Sequence, residues 1–132
     1  MTTDFNDFTA LLKEICPDCA QDDDGIISFT LQDISFFVAP CPEDPSCALI
    51  RARVLFLTEV PRAGDFARAA LSGNFFWNGT NGATLSAGPD EGLYLTERRP
   101  LDELADEAAL RSCLDDFTST AGQWQVRSAL YA

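Results

Sequence analysis

Apolar residues recur at every third or fourth position near both ends of the chain, which is the spacing of an amphipathic helix. The first helix is predicted to begin after Asp4, a favourable N-cap residue, and to end before Pro17. The last helix is predicted over residues 106–130, and a shorter one over residues 65–72 stops at Gly73. The apolar stripes are Phe5, Phe8, Leu12 and Ile15 in the first helix, and Leu110, Leu114, Phe117, Ala121 and Trp124 in the last.

Five segments between these helices are rich in β-branched and aromatic residues, which favour strands. Gln32 and Asp33 separate the first two segments and predict a tight hairpin turn. In the third segment the even-numbered residues are apolar, whereas Arg51 and Arg53 make the other face mixed and partly wet. The predicted order is α-β-β-β-α-β-β-α in one domain over residues 1–132. The five predicted strands are residues 26–31, 34–39, 48–58, 83–87 and 93–97.

The charge balance narrows the classes of partner. Nine Lys and Arg residues against twenty-one Asp and Glu residues give a formal net charge of −12. Such a surface repels nucleic acid and anionic lipid, because phosphate binding depends on Lys and Arg, so a basic or neutral protein or peptide is the expected partner. No apolar run approaches the roughly 20 residues that span a bilayer, and the first eight residues lack the basic start of a signal peptide. A cytoplasmic protein without membrane insertion is therefore expected.

The chain contains no histidine, which removes histidine-activated nucleophiles and histidine metal ligands. Neighbouring acidic residues in the last helix point about 100° apart and form a solvated face rather than a catalytic pair. No catalytic residue, metal site or cofactor is predicted. The odd number of cysteines indicates free thiols: Cys16, Cys19, Cys41, Cys47 and Cys113.

The cysteines leave one alternative to a plain structural role. Cys16 and Cys19 form a CxxC pair, and Cys41 and Cys47 could complete a zinc site or a thiol site. The CxxC pair follows the end of a helix, where the helix dipole disfavours a thiolate, and the spacing of the second pair does not fit a common zinc knuckle. Core and loop thiols are therefore the preferred interpretation, with Cys113 in the core.

Three segments of the chain form a recognisable series. They are the Phe5, Phe8 and Leu12 helix with its following Asp-Gly turn, Leu71-Ser72-Gly73-Asn74-Phe75 with Gly82-Ala83-Thr84-Leu85, and Leu93, Leu95 and Arg99-Pro100-Leu101 with the last helix. Their order and spacing resemble the class I type III secretion chaperones of the Tir chaperone (CesT-like) family. Two features depart from the family pattern: Gly73 stands where a better helix former is usual, and the cysteine-bearing connection of residues 41–47 is not typical.

The resemblance implies an α+β fold in which a twisted antiparallel sheet is flanked by three helices. It also implies a cytoplasmic homodimer that binds the N-terminal segment of a secreted effector in extended, secretion-competent form. No enzymatic activity or cofactor is implied. A CesT-like regulatory or protein-binding module outside secretion and, ranked lower, a small zinc or thiol protein are the alternatives.

Two surfaces are predicted from this resemblance and from the aromatic residues. The effector groove is expected to lie between the first helix and the second strand. The dimer interface is expected to involve the second helix and the aromatic segment after it. The predicted groove residues are Phe5, Phe8, Leu12, Ile34, Phe36 and Val38, and the predicted interface residues are Phe66, Leu71, Phe75, Phe76 and Trp77.

Overall fold

A computed structural model describes residues 4–132, and its elements follow the predicted order with one short strand added. The six strands form one antiparallel sheet in the order β1-β2-β3-β4-β6-β5. The prediction of an α+β fold with three helices on an antiparallel sheet is confirmed. The elements are α1 Phe5–Ile15, β1 Ala20–Gln21, β2 Ile27–Leu31, β3 Ile34–Pro40, β4 Cys47–Phe56, α2 Ala63–Gly73, β5 Thr84–Ala87, β6 Gly92–Pro100 and α3 Glu107–Ser128.

Side-chain caps fix where two of the helices begin. Asp4 Oδ1 accepts the backbone N–H of Asp7 at 2.8 Å, and Asp106 Oδ1 accepts that of Ala109 at the same distance. Each carboxylate satisfies an N–H group that has no partner within its helix, and its charge complements the helix dipole. At the other end of α1, Cys16 closes the last turn.

The hairpin between β2 and β3 turns through two residues in the left-handed region, with φ of 49° at Gln32 and 64° at Asp33. Positive φ angles at both central residues are typical of a type I′ turn, whose twist matches that of the flanking strands. The turn pairs Leu31 directly with Ile34 and sets the register of the hairpin. As a result, alternate residues of β2 and β3 share the apolar face of the sheet.

That apolar face packs against α3 and α1 and forms the core. In β4 the buried positions Ala48, Ile50, Ala52 and Val54 follow the predicted alternation, and Cys47 at the start of the strand is buried as well. The predicted stripe of α3 is also confirmed, since all five of its residues are buried. The opposite face of the sheet keeps partly exposed side chains along its whole width.

The alternation of β4 changes at its end, which the sequence analysis did not anticipate. A register shift lies between Arg53 and Leu55 in the pairing with β6. After it, Leu55 packs against the core and Phe56 lies beside Arg53, whose guanidinium carbon is 4.6 Å from the Phe56 ring centroid. The prediction that Leu55 shares the face of Arg53, with Phe56 on the apolar face, was wrong because a β-bulge reverses the alternation.

The Trp124 ring of α3 holds the end of α2 and the loop that follows it. Its Nε1 donates to the carbonyl oxygen of Gly79 at 2.8 Å, and its ring packs edge to face with Phe66 at 6.1 Å between centroids. A Cβ atom at Gly73 would overlap Cζ2 of this ring. The glycine that departs from the family pattern is therefore required by the close approach of α2 to α3.

We expect Gly73→Ala to lower the free energy of unfolding by about 1–3 kcal/mol, because the added methyl group must displace a buried tryptophan ring. Gly64→Ala, in the first turn of the same helix, is the control because its Cβ would meet nothing within 4 Å. Urea denaturation of both variants measures the difference. Equal stabilities for the two variants would contradict the assigned contact.

Candidate protein-binding surfaces

One edge of the sheet is open along most of its length. The edge strand β1 has only two residues, and it pairs with Ile27 and Ser28 of β2. Beyond them, the part of β2 from Phe29 to Leu31 pairs only with β3 among the described residues 4–132. An unpaired strand edge offers backbone N–H and C=O groups to an added strand.

The predicted groove residues beside this edge are mostly core residues. Five of the six have at most 3% of their surface exposed, and Phe36 stacks on Phe29 at 5.1 Å while Phe117 meets it edge to face. They are buried because the stripes of α1 and β3 face each other across the core, and their role in effector binding stays a prediction. Phe5 alone is partly exposed. The five buried residues are Phe8, Leu12, Ile34, Phe36 and Val38.

Their partly exposed neighbours form the accessible apolar surface. Ile15 at the end of α1 and Leu31 at the end of β2 pack against the core from outside and share a groove of about 160 Å³ with α3. A second open groove, of about 380 Å³, runs along the outer face beside Ser28, Thr30 and Phe37. The open edge of β2 lies between these two grooves, since Leu31 belongs to the first and Thr30 to the second.

The opposite edge of the sheet is blocked by a side chain. Asn74, which follows α2, donates from Nδ2 to the carbonyl oxygen of Leu85 at 2.9 Å. Its Oδ1 accepts the N–H of the same residue at 2.7 Å. Both backbone groups of Leu85 are thus occupied by one amide, which excludes strand addition at this point of β5.

We expect Asn74→Ala to lower the free energy of unfolding by about 1–3 kcal/mol, because both backbone groups of Leu85 lose their partner in a partly buried position. The exposed Asn78 provides the control through Asn78→Ala. Thermal and urea unfolding measure the change. Unfolding curves of Asn74→Ala and Asn78→Ala that coincide would show that the bidentate contact is not formed in solution.

An exposed apolar patch lies at the end of α2 and in the single 3-10 turn that follows. Leu71, Phe75, Phe76 and Trp77 expose 54–74% of their surface, and we call these four residues the aromatic patch. The fifth residue predicted for this interface, Phe66, is fully buried against Trp124 and Tyr131. Phe66 lies on the face of α2 that packs against α3, so the exposed part of the predicted interface consists of the other four residues.

The backbone of the aromatic patch is unusual. Phe76 and Trp77 have φ of 50° and 57°, in the left-handed region that bulky residues rarely adopt. Strain of this kind persists where the surrounding structure imposes it, often at binding surfaces. Here the conformation directs apolar rings towards solvent, and Phe75 and Phe76 meet edge to face at 4.7 Å between centroids. Contiguous exposed apolar surface marks interaction sites.

The cysteines show no site of their own. All five are free, and no cluster of three His, Cys, Asp or Glu residues within residues 4–132 could hold a metal ion. Burial raises the pKa of the Cys113 thiol to about 11, and burial is also the main cause of the raised pKa of Cys16, with Cys19 adding to it. A reactive thiol needs a lowered pKa, so these two thiols lack the environment of a nucleophile.

Comparison with known proteins agrees with these features. A search of the curated proteins finds no significant match. The model of the Tir chaperone protein (CesT) family matches residues 9–125. The chain therefore belongs to the Tir chaperone protein (CesT) family, and it is a chaperone rather than an enzyme. No helix between residues 4 and 132 combines the length and apolar character needed to cross a bilayer.

Solved structures share the fold at low sequence identity. One is a chain of the ExsC-ExsE complex, with a TM-score of 0.75, 19% identity, and 93% of this chain and 95% of that chain covered. A chain of the HopA1-SchA chaperone-effector complex has a TM-score of 0.67 and 14% identity, with 93% of this chain and 98% of that chain covered. The Yersinia pestis type III secretion chaperone SycH, solved with a fragment of YscM2, has a TM-score of 0.50 and 17% identity. The match covers 86% of this chain and 98% of that chain.

Proposed function

We propose that this protein is a cytoplasmic type III secretion chaperone that binds the N-terminal segment of a secreted effector in extended form. The observation that carries the proposal is the family match over residues 9–125. The fold adds support, because chains of similar structure occur in a chaperone-effector complex and in the complex of a type III secretion chaperone. No cofactor takes part in this function.

The two edges of the sheet support a particular mode of binding. Asn74 occupies β5 at Leu85, whereas β2 is open from Phe29 to Leu31. An extended segment of the effector adds to β2 and places apolar side chains beside Ile15 and Leu31. Burial of about 400 Å² of apolar surface contributes roughly 10 kcal/mol, from which ordering of the segment subtracts several kcal/mol. The net affinity is sufficient for a stable complex.

We expect the double variant Ile15→Glu, Leu31→Glu to lose at least about tenfold in effector affinity, because charges beside the open edge oppose burial of apolar side chains. The measurement is a tagged pull-down from the native cytosol, followed by mass spectrometry and limited proteolysis. One dominant partner is expected, with its N-terminal segment protected by two copies of this chain.

The matched control for this experiment is Val126→Glu, Leu130→Glu, which places two charges on exposed apolar residues near the end of α3. The control is expected to capture the partner as the unaltered protein does. Circular dichroism verifies that both double variants are folded. A partner held through a folded domain, or captured equally by both variants, would contradict the proposal.

We also propose that the aromatic patch forms the interface of a homodimer. The patch is apolar, contiguous and bordered by the blocked edge of β5, so that its burial requires no strand addition. Leu71 and Phe76 expose 71% and 74% of their surface, which makes them suitable for substitution without damage to the core. The strained conformation of Phe76 presents its ring for such a contact.

We expect Leu71→Glu, Phe76→Glu to convert the dimer into a monomer, because two desolvated charges on each partner oppose association. Light scattering coupled to size-exclusion chromatography should show a fall from about twice 14.4 kDa to 14.4 kDa. The Val126→Glu, Leu130→Glu variant serves again as the control and is expected to remain a dimer. If Leu71→Glu, Phe76→Glu keeps the dimer mass, the interface lies elsewhere.

A further inference from the structure

The outer face of the sheet, opposite α3, carries a local excess of positive charge. At the paired positions of β2 to β6, this face holds Arg51, Arg53 and Arg98 and no Asp or Glu. All three arginines keep part of their surface exposed. This is a third of the nine basic residues of a chain that has twenty-one acidic ones. The acidic chain therefore presents a basic surface at one place that the helices leave open.

Two of these arginines have no acidic partner. Arg98 donates from Nη2 to Asp44 Oδ2 at 2.8 Å, so its charge is already paired. Arg51 and Arg53 form no ion pair within residues 4–132. Their guanidinium carbons each lie 5.7 Å from the Phe37 ring centroid. An aromatic ring thus positions both guanidinium groups without neutralising them.

The carboxylate of Asp90, whose charge acts on Arg53, is hydrogen-bonded to other groups. Asp90 accepts the Tyr94 hydroxyl at 2.6 Å and the N–H of Gly92 at 3.0 Å. These hydrogen bonds are the main causes of its lowered pKa, and the charge of Arg53 is a minor one. The guanidinium group of Arg53 instead donates to Ser35 Oγ at 3.4 Å and also hydrogen-bonds the Tyr94 hydroxyl. A guanidinium group has five N–H donors, so Arg53 keeps donors for a ligand, and the side chain of Arg51 forms no hydrogen bond within residues 4–132.

The spacing of these two arginines matches an extended acidic peptide. Arg51 and Arg53 are two residues apart on β4, so their Cα atoms are about 6.7 Å apart and their side chains share one face. An extended segment with carboxylates at alternate positions repeats at the same distance. Phe37 lies on β3, between β2 and β4, and also lines the open groove of about 380 Å³, where Asp18 is the one carboxylate among the described lining residues. A segment that leaves the open edge of β2 can turn over Phe37 and run along β4 past the two arginines.

The charge of the whole protein favours an acidic peptide over a nucleic acid. A nucleic acid carries one negative charge per nucleotide and is repelled by a protein of net charge −12. Contacts from two arginines would release too few counterions from the nucleic acid to overcome that repulsion. A short peptide with two carboxylates meets the local positive charge and little of the distant negative charge, since screening limits the range to about 10 Å.

We propose that Arg51 and Arg53 bind two alternating carboxylates of the effector segment as it runs along β4 on the outer face of the sheet. The inference rests on the proposed function for the identity of the ligand. It assigns the chemistry of the bound segment: acidic residues at positions i and i+2, followed towards β2 by an apolar residue that contacts Phe37. Charge-assisted hydrogen bonds from the planar guanidinium groups fix the register of the segment.

The test uses a short fluorescein-labelled peptide with a central Glu-Ile-Glu and a matched peptide with Gln-Ile-Gln, measured by fluorescence anisotropy at low and high salt. The Glu peptide is expected to bind at least about tenfold more tightly, with an affinity that falls as salt rises. Arg51→Gln, Arg53→Gln should remove this preference, while the charge-conserving Arg51→Lys, Arg53→Lys should retain most of it.

The matched control is Arg68→Gln, Arg127→Gln, which removes the same net charge from two exposed arginines of α2 and α3, away from the outer face of the sheet and from the groove beside Ile15 and Leu31. Its preference for the Glu peptide should be unchanged. Equal affinities for the two peptides, or an equal loss in the control, would overturn the inference. Capture of the effector in the pull-down is measured separately, so the chaperone function can stand when this inference fails. If the protein prefers the Glu peptide but captures no effector in the pull-down, the proposed chaperone function is refuted. The effector is then also ruled out as the ligand of the two arginines.

Discussion

The contact between Trp124 and Gly73 determines how the second half of the chain is arranged. A ring of α3 lies where any side chain at residue 73 would stand, so α2 approaches α3 closely and ends at this point. The Nε1 hydrogen bond to Gly79 and the bond from the N–H of Gly79 to the carbonyl oxygen of Gly73 then return the loop across the same ring. The aromatic patch lies within this loop, and Asn74 is placed to bind β5. A single buried ring thus supports both the exposed apolar surface and the blocked edge.

Because the edge at β5 is blocked at Leu85, the two edges of the sheet differ in their ability to accept an added strand. A sheet with two open edges would add strands at either side and would aggregate through them. Here the side chain of Asn74 occupies both backbone groups of Leu85, and the aromatic patch stands next to it. The open part of β2 lies at the other end of the strand order. The proposed dimer interface and the proposed client-binding edge therefore lie at opposite ends of the strand order.

The sequence predicts the elements better than it predicts the surfaces. Periodicity identified the buried stripe of α3 and the positions of the longer strands, because packing against one core requires that spacing. It could not distinguish apolar residues at an open groove from apolar residues of the core, so Phe8 and Phe36 were assigned to the surface. It also missed β1, which has two residues, and the bulge after Arg53, which leaves no signal in the pattern. Gly73 could be recognised only as a departure from the family pattern. The reason for a glycine at this position is the ring of Trp124, which is fifty-one residues away in the sequence.

Charge segregation connects the acidic composition with binding of an extended chain. A net charge of −12 opposes nonspecific association of the protein and its binding to anionic surfaces. The same charge would oppose an acidic client wherever it touched the helices. On the outer face of the sheet this electrostatic repulsion is weaker, because Arg51 and Arg53 pack against Phe37 and neither is paired with an acidic residue on β3 or β6. The overall charge therefore restricts where a client can lie, and the free arginines determine which client segment is bound there.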